Sequence, residues 1–410
     1  MIWIIAFLAI AGVIMRPFNI SEAIWAVTGA FLLVVLGLIT LSVGFSGIIK
    51  GTDVYMFLAG MMLLAETARE EKLFDWLAAH AIKLSKGSAS RLFLLIYLVG
   101  IVVTTFLSND ATAVVLTPAV AAAVKAAKVK KPLPYLLICA FIANAASFVL
   151  PISNPANLVI YGRQMPTLLH WISLYIIPSF FAISSTYFLL RITQRNALKH
   201  KIETNISMPA LSPGGKTAII SIGCTAIILL VSSALNIALG LPTAITGVVT
   251  SAVVMFRAKK NPWIVIKGVS WPVIPLVAGL FVIVEALNTT GVIETVTNIL
   301  HQSAMHSAGK TAWLSGVIIA FGSNLMNNLP AGLIAGNAIQ AAHVPEIIKS
   351  SVLIGVDLGP NLSVTGSLAT ILWLLALRRE GESISGWTFI KLGSLIMTIA
   401  LLLALGSLWI

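Results

Sequence analysis

Charge is scarce in this 410-residue sequence: Lys, Arg, Asp and Glu together make up 10% of it, where a soluble domain carries about 25%. Hydrophobic residues reach 58%, and apolar runs near the length that crosses a bilayer, about 20 residues, recur from end to end. An ordinary soluble protein is excluded. Because the runs continue throughout, the first is not read as a cleavable signal ahead of a soluble domain. Cysteine is nearly absent as well: Cys139 and Cys224 both lie in apolar runs, so neither a disulfide framework nor a four-ligand metal site is indicated. Also missing are an HExxH pair, a nucleophile elbow, a Walker loop and a dinucleotide fingerprint. A membrane-embedded enzyme is disfavoured by these absences, and neither a cofactor nor a metal is expected. The net charge of +12 does not point to nucleic acid, because the basic residues are spread over short loops between apolar runs. Positive-inside orientation accounts for them.

What is present is a repeated plan. Candidate spans lie at 2–15, 22–46, 52–66, 133–160 and 168–190, and again at 216–235, 241–256, 271–290, 346–378 and 387–410. Two further apolar stretches, 91–126 and 311–342, are interrupted near their middles by polar residues and read as re-entrant hairpins. Segments 68–86 and 291–306 read as interfacial helices. The expected division is an N-terminal repeat over 1–190, a basic cytoplasmic linker over 191–215 and a C-terminal repeat over 216–410. Counting outward from that linker puts 22 of the 26 basic residues inside and leaves Lys50, Arg163, Lys310 and Lys349 outside, with both termini outside. Five spans is an odd number, so the repeats must be inverted. Residue matches agree: Gly60, Glu66 and Asp75 recur as Gly279, Glu285 and Glu294 at an offset of 219, and Ser108-Asn109 recurs as Ser323-Asn324 at 215.

Four polar breaks interrupt the apolar runs: SNDAT (108–112), PISNPANL (151–158), SNLMNNLP (323–330) and DLGPNLSVTGS (357–367). Irregular backbone at membrane depth persists only where protein or a water-filled cavity satisfies it, and paired breaks in two inverted halves mark a midplane substrate site. Their side chains are almost all neutral: Ser108, Asn109, Thr112, Asn154, Asn157, Ser323, Asn324, Asn327, Asn328, Asn361, Ser363 and Thr365. Amides and hydroxyls both donate and accept, which suits a small solute rich in hydroxyl groups. No Lys or Arg falls at a break. Two acids do, Asp110 and Asp357, and a carboxylate at membrane depth marks a candidate proton carrier.

SNDATAVVLTP, GSNLMNNLPAGLIAG and IGVDLGPNLSVTGSLATILWL resemble the ArsB-type bacterial arsenite efflux permeases of the ion transporter superfamily, over nearly the whole chain. The resemblance implies two hairpins with Ser-Asn tips, here Ser108-Asn109 and Ser323-Asn324. It implies extrusion of arsenite and antimonite across the bacterial inner membrane in exchange for protons, and in some operons a soluble arsenite-stimulated ATPase as partner. Arsenite near neutral pH is mainly As(OH)3, three hydroxyls on one small centre, which the neutral lining fits. With two cysteines at non-corresponding positions, no three-thiol trap can form within one chain. The competing reading is a sodium- or proton-coupled carrier of small organic anions from the same superfamily.

Overall fold

The computed structural model describes residues 1–17, 20–204 and 209–410. The described residues form helices joined by turns and short loops, with no strand beyond a single bridge between Ser88 and Lys201. The first half contains α1 (Ile2–Met15), α2 (Glu22–Val35), α3 (Leu41–Lys50), α4 (Thr52–Glu70), α5 (Leu73–Ser85) and α6 (Ala89–Phe106). It continues through a one-turn α7 (Asn109–Ala111), α8 (Thr117–Ala126), α9 (Leu133–Ala145), α10 (Pro155–Tyr161) and the long α11 (Leu168–Thr193). The second half begins with α12 (Pro213–Ala234), α13 (Gly240–Ala258), α14 (Trp263–Gly268), α15 (Val273–Asn288) and α16 (Val292–His306). It ends with α17 (Ala308–Met326), α18 (Asn328–Ala341), α19 (Glu346–Leu358), α20 (Leu368–Arg379) and α21 (Gly386–Gly406).

Five of these helices are long and apolar enough to cross a membrane alone, and seven spans result if the bent pairs α3 with α4 (45°) and α15 with α16 (74°) each count once. Large apolar side chains such as Phe31, Phe45, Phe180, Ile220 and Phe256 are exposed, as lipid-facing positions require. Three expected single spans are divided. The stretch 22–46 breaks at Gly37, whose φ of +68° only glycine adopts freely, and restarts where Thr40 Oγ1 accepts from Val43 N–H. The stretches 133–160 and 346–378 become α9 plus α10 and α19 plus α20, parted by loops that contain Pro151 and Pro360.

The helix starts repeat in step. Leu73, Ala89 and Asn109 open α5, α6 and α7; Val292, Ala308 and Asn328 open α16, α17 and α18, each 219 residues later. Both ends of α9 match both ends of α19 at an offset of 213, as do the starts of α10 and α20. Close approach of backbones recurs too. Gly60 of α4 lies against the Thr243 carbonyl of α13, and Gly279 of α15 lies against the backbone of Ala26 in α2.

Both interrupted stretches fold back on themselves. The first hairpin enters at Gly87 and leaves at Ala127, and consecutive linker residues hold both ends: Ile202 N–H donates to Gly87 O and Glu203 N–H to Ala127 O, each at 3.1 Å. The second leaves α16 at His306 and returns to it, where His301 Nδ1 lies 3.0 Å from Ala342 O. The two mouths lie at opposite ends of α11, which at 26 residues is about 39 Å long. Near its start, His170 Nε2 meets Glu346 Oε1 at 2.7 Å, four residues past Ala342; just beyond its end, Leu198 O accepts from Ser90 Oγ at 3.2 Å.

A π-turn over Thr112–Leu116 precedes Pro118. The proline has no N–H to continue the ladder, and Thr117 Oγ1 donates to Thr112 O at 3.3 Å beside the gap.

Candidate substrate site

The turns of both hairpins and the breaks before α10 and α20 meet at one chamber. It has room for about one water, about 10 Å³, and its polar lining is Asn109, Asp110, Asn154, Asn328 and Ser367. Leu58, Pro155, Val273, Leu329 and Leu368 close the apolar sides. A second cavity of about 60 Å³ shares Leu58, Asp110, Pro155 and Val273 with it and extends past Met61 and Met62 of α4 to Glu66 and Gly268. No Lys, Arg or His lines either space.

Each helix start at the chamber is capped by its own side chain, so the donors that would attract an anion are partly occupied. Ser108 Oγ accepts from Ala111 N–H at 3.2 Å and Asn109 Oδ1 from Asp110 N–H at 2.9 Å. Asn154 Oδ1 takes Ala156 N–H at 3.0 Å, Asn327 Oδ1 takes Leu329 N–H at 3.3 Å, and Ser367 Oγ takes Thr370 N–H at 3.1 Å. The Asn328 backbone N–H donates to Gly366 O at 2.9 Å, while the Asn328 side-chain amide, Asn109 Nδ2 and the Asp110 carboxylate have no hydrogen-bond partner among the described residues. These are the groups free to meet a solute.

The two acids are placed differently. Asp110 fronts both cavities. Asp357 is fully buried behind Asn154, whose Nδ2 donates to its Oδ1 at 2.7 Å, and its Oδ2 has no partner. Asn154 therefore ties the chamber wall to Asp357.

The remaining polar residues of the breaks sort by location. Thr112 bonds Thr104 across the first hairpin at 2.8 Å. Asn157 Nδ2 donates to Ser147 O at 2.9 Å and pins the loop before α10, while its Oδ1 is buried without a partner. Asn361 is held by one bond at each end of its side-chain amide, its Oδ1 accepting from Asn144 Nδ2 (2.9 Å) and its Nδ2 donating to Phe141 O (3.1 Å). Ser323 Oγ donates within its own helix to Ile319 O. Asn324, Ser363 and Thr365 form a separate half-buried cluster: Asn324 Nδ2 donates to Gly359 O at 2.9 Å and its Oδ1 accepts from Ser363 Oγ at 2.7 Å, with Thr365 Oγ1 3.0 Å from Ser363. The turn of the second hairpin falls at Asn327 and not at Ser323-Asn324, because Leu325 and Met326 continue α17 and the φ of +73° comes at Asn327. Asn327-Asn328 is thus the counterpart of Ser108-Asn109, at the offset of 219 that Gly60 and Gly279 already showed.

Two polar residues of this region stand outside the expected set. Ser367 lines the chamber, and a serine immediately before the apolar run that begins at Leu368 is a helix-start signal. Asn144, alone in the apolar run of α9, holds Asn361 and lies 3.4 Å from Thr370 Oγ1.

The model of the citrate transporter family (CitMHS) matches residues 6–377. The arsenical pump membrane protein of Yersinia enterocolitica is 28% identical over 344 residues, covering 81% of this chain and 80% of the relative. That of Escherichia coli K12 is 27% identical over 409 residues, covering 96% and 94%. Among solved structures, the Alcanivorax borkumensis YdaH transporter, described as having an unusual topology, matches with a TM-score of 0.55 at 14% identity, over 89% of this chain and 86% of that one, a likeness of fold. With this family match over most of its length and its apolar helices, the chain is a multi-pass membrane transporter that belongs to the citrate transporter family.

Proposed function

We propose that the protein extrudes arsenite, and antimonite as the same kind of neutral trihydroxide, across the bacterial inner membrane in exchange for protons. The observation that carries this reading is the lining at the hairpin turns: amide and hydroxyl groups and one carboxylate, Asp110, with no basic side chain, around a chamber that shares Asp110 with a second cavity of about 60 Å³. A multiply charged anion such as a tricarboxylate would find no cation there, whereas As(OH)3 can trade its water shell for the Asn109 and Asn328 amides. The arsenical pump relatives support the same substrate. Asp110, and Asp357 behind Asn154, are the proposed proton carriers.

Moving a neutral solute outward has no electrical cost, while each inward proton releases about 2.3 kcal/mol per 100 mV. One proton per arsenite then sustains roughly a fiftyfold gradient at 100 mV. The proposed arrangement is two inverted repeats, 1–190 and 216–410, with the linker over 191–215 in the cytoplasm and both termini outside; residues 205–208 of that linker lie outside the described residues. A soluble arsenite-stimulated ATPase as partner remains an implication of family resemblance.

The family's description as citrate transporters favours a second reading, a sodium- or proton-coupled carrier of small organic anions. Inside-out vesicles with an acid interior and no sodium separate the two. The arsenite reading predicts that they accumulate arsenite and that excess citrate does not compete. Accumulation of citrate, or a requirement for sodium, would favour the second.

A further inference from the structure

Basic side chains concentrate at the mouth of the first hairpin. Lys86, Arg91, Lys125, Lys128, Lys199 and Lys201 are all exposed there, brought together because the linker straps both ends of the hairpin. Among the described residues the one ion pair in this group is Lys128 Nζ with Glu203 Oε1 at 3.0 Å. Lys86, Lys199, His200 and Lys201 surround a cleft of about 430 Å³ whose floor is Gly87, Ser88 and Ile202. The mouth of the second hairpin shows no such concentration, with Lys310 and Lys349 flanking it together with Glu346.

Orientation in the membrane explains why loops on one side are basic. It does not explain why Lys86 and the linker residues Lys199, His200 and Lys201 are drawn around one cleft by backbone hydrogen bonds, with Arg91, Lys125 and Lys128 at the same hairpin mouth, where mutual repulsion opposes them. A second feature adjoins the cleft. From Arg91 the exposed residues of α6 run Leu94, Leu98, Val102 and Phe106, one every fourth position or so, and are 38%, 47%, 53% and 40% exposed. This is a continuous apolar stripe descending one helix face from a basic head.

We propose that the cleft binds the phosphate headgroup of an anionic phospholipid whose acyl chains lie along the Leu94–Phe106 stripe. The basic cleft matches the phosphate, and the adjoining stripe makes the occupant a lipid and not free phosphate. Bound there, the lipid clamps the linker to Gly87 and Ala127 and steadies the hairpin whose other end carries Asp110. The binding surface itself is independent of which solute is transported.

The test uses detergent-solubilised full-length protein, with retained lipid read by native mass spectrometry after titration with dioleoyl phosphatidylglycerol or dioleoyl phosphatidylcholine. The wild type should retain phosphatidylglycerol over phosphatidylcholine, and excess inorganic phosphate should not displace it. Lys86→Gln/Lys199→Gln/Lys201→Gln should bind roughly a hundredfold more weakly. The corresponding triple arginine variant should bind as the wild type does. Arg257→Gln/Lys259→Gln/Lys267→Gln, which neutralises basic residues elsewhere, should leave binding unchanged. Should the first triple variant fail to fold, Lys199→Gln alone, on the exposed linker, is expected to weaken binding about fivefold. Unchanged retention by the glutamine variants, equal loss in the control triple, or displacement by inorganic phosphate would each overturn the proposal.

Discussion

The two hairpins share a frame but not a charge. Ser108 and Asn327 both turn the chain with positive φ and both cap the helix that follows. Asn109 and Asn328 come next and face the same chamber. One residue later the halves part: the first has Asp110, the second Leu329. The reverse asymmetry occurs at the ends of α9 and α19, where Asn144 of the first half stands opposite Asp357 of the second. Each acid exists once, against a neutral residue in the matching place. The matched helix starts keep the same backbone frame around the chamber, and the two carboxylates are placed on it unevenly. On this account the first hairpin handles the coupling proton at the chamber, and the second supplies amides.

The sharpest way to break that comparison is to exchange the two tip residues. Asp110→Asn/Leu329→Asp keeps one carboxylate at the chamber but moves it away from the larger cavity, which Asp110 lines and Leu329 does not. Accumulation of arsenite driven by a pH gradient should fall more than tenfold and stay there; recovery to wild-type accumulation would show the halves to be interchangeable. A smaller effect is expected at the other acid. Asp357→Ala leaves Asn154 Nδ2 buried without its acceptor and should lower stability by about 1–3 kcal/mol, whereas Asp357→Asn preserves an acceptor. Thermal unfolding of the two variants side by side checks this, and equal melting points would show that the bond at 2.7 Å does not matter.

The repeated helix contacts give a finer comparison. A methyl at Gly60 would strike the Thr243 carbonyl and one at Gly279 the Ala26 backbone, with the first approach the closer. Gly60→Ala should cost about 1–3 kcal/mol and Gly279→Ala less; the opposite order in melting temperature would contradict the packing described. The smallest effect belongs to sulfur. Cys139 is buried in α9 and Cys224 is exposed on α12, and neither lines the chamber or the larger cavity beside it. Cys139→Ser/Cys224→Ser should export arsenite at close to the wild-type rate. In that background, Lys199→Cys should be labelled from the cytoplasm and Asn236→Cys from the periplasm by an impermeant reagent. Labelling of both from one side would remove the inverted arrangement.

Much of the frame was legible in the sequence because lipid makes it so. A Ser, Asn or Pro inside an apolar run must have its polarity satisfied, so the four breaks and the two hairpins announce themselves, and the offset of 219 between Gly60 and Gly279 carries through to the helix starts. The turn of the second hairpin was harder. Matching the letters Ser-Asn leads to Ser323-Asn324, but a cap requires an oxygen at the right place and accepts Asn as readily as Ser, so the geometry selects Asn327. The neutral residues of the breaks posed a further difficulty. Asn157 and Asn361 are as polar as Asn109, yet they spend their donors on the backbone of the broken segments. Which face of a break meets the cavity depends on packing between distant segments, such as Asn144 on Asn361, that no local pattern encodes.

The most direct measurement of the central claim is proton movement itself. Purified protein in sealed liposomes with an interior pH dye and no sodium should show arsenite flowing down its gradient while protons flow the opposite way, and Asp110→Asn should exchange arsenite without moving protons. Proton flux through Asp110→Asn equal to that of the wild type, or arsenite flux that moves no protons in the wild type, would contradict it.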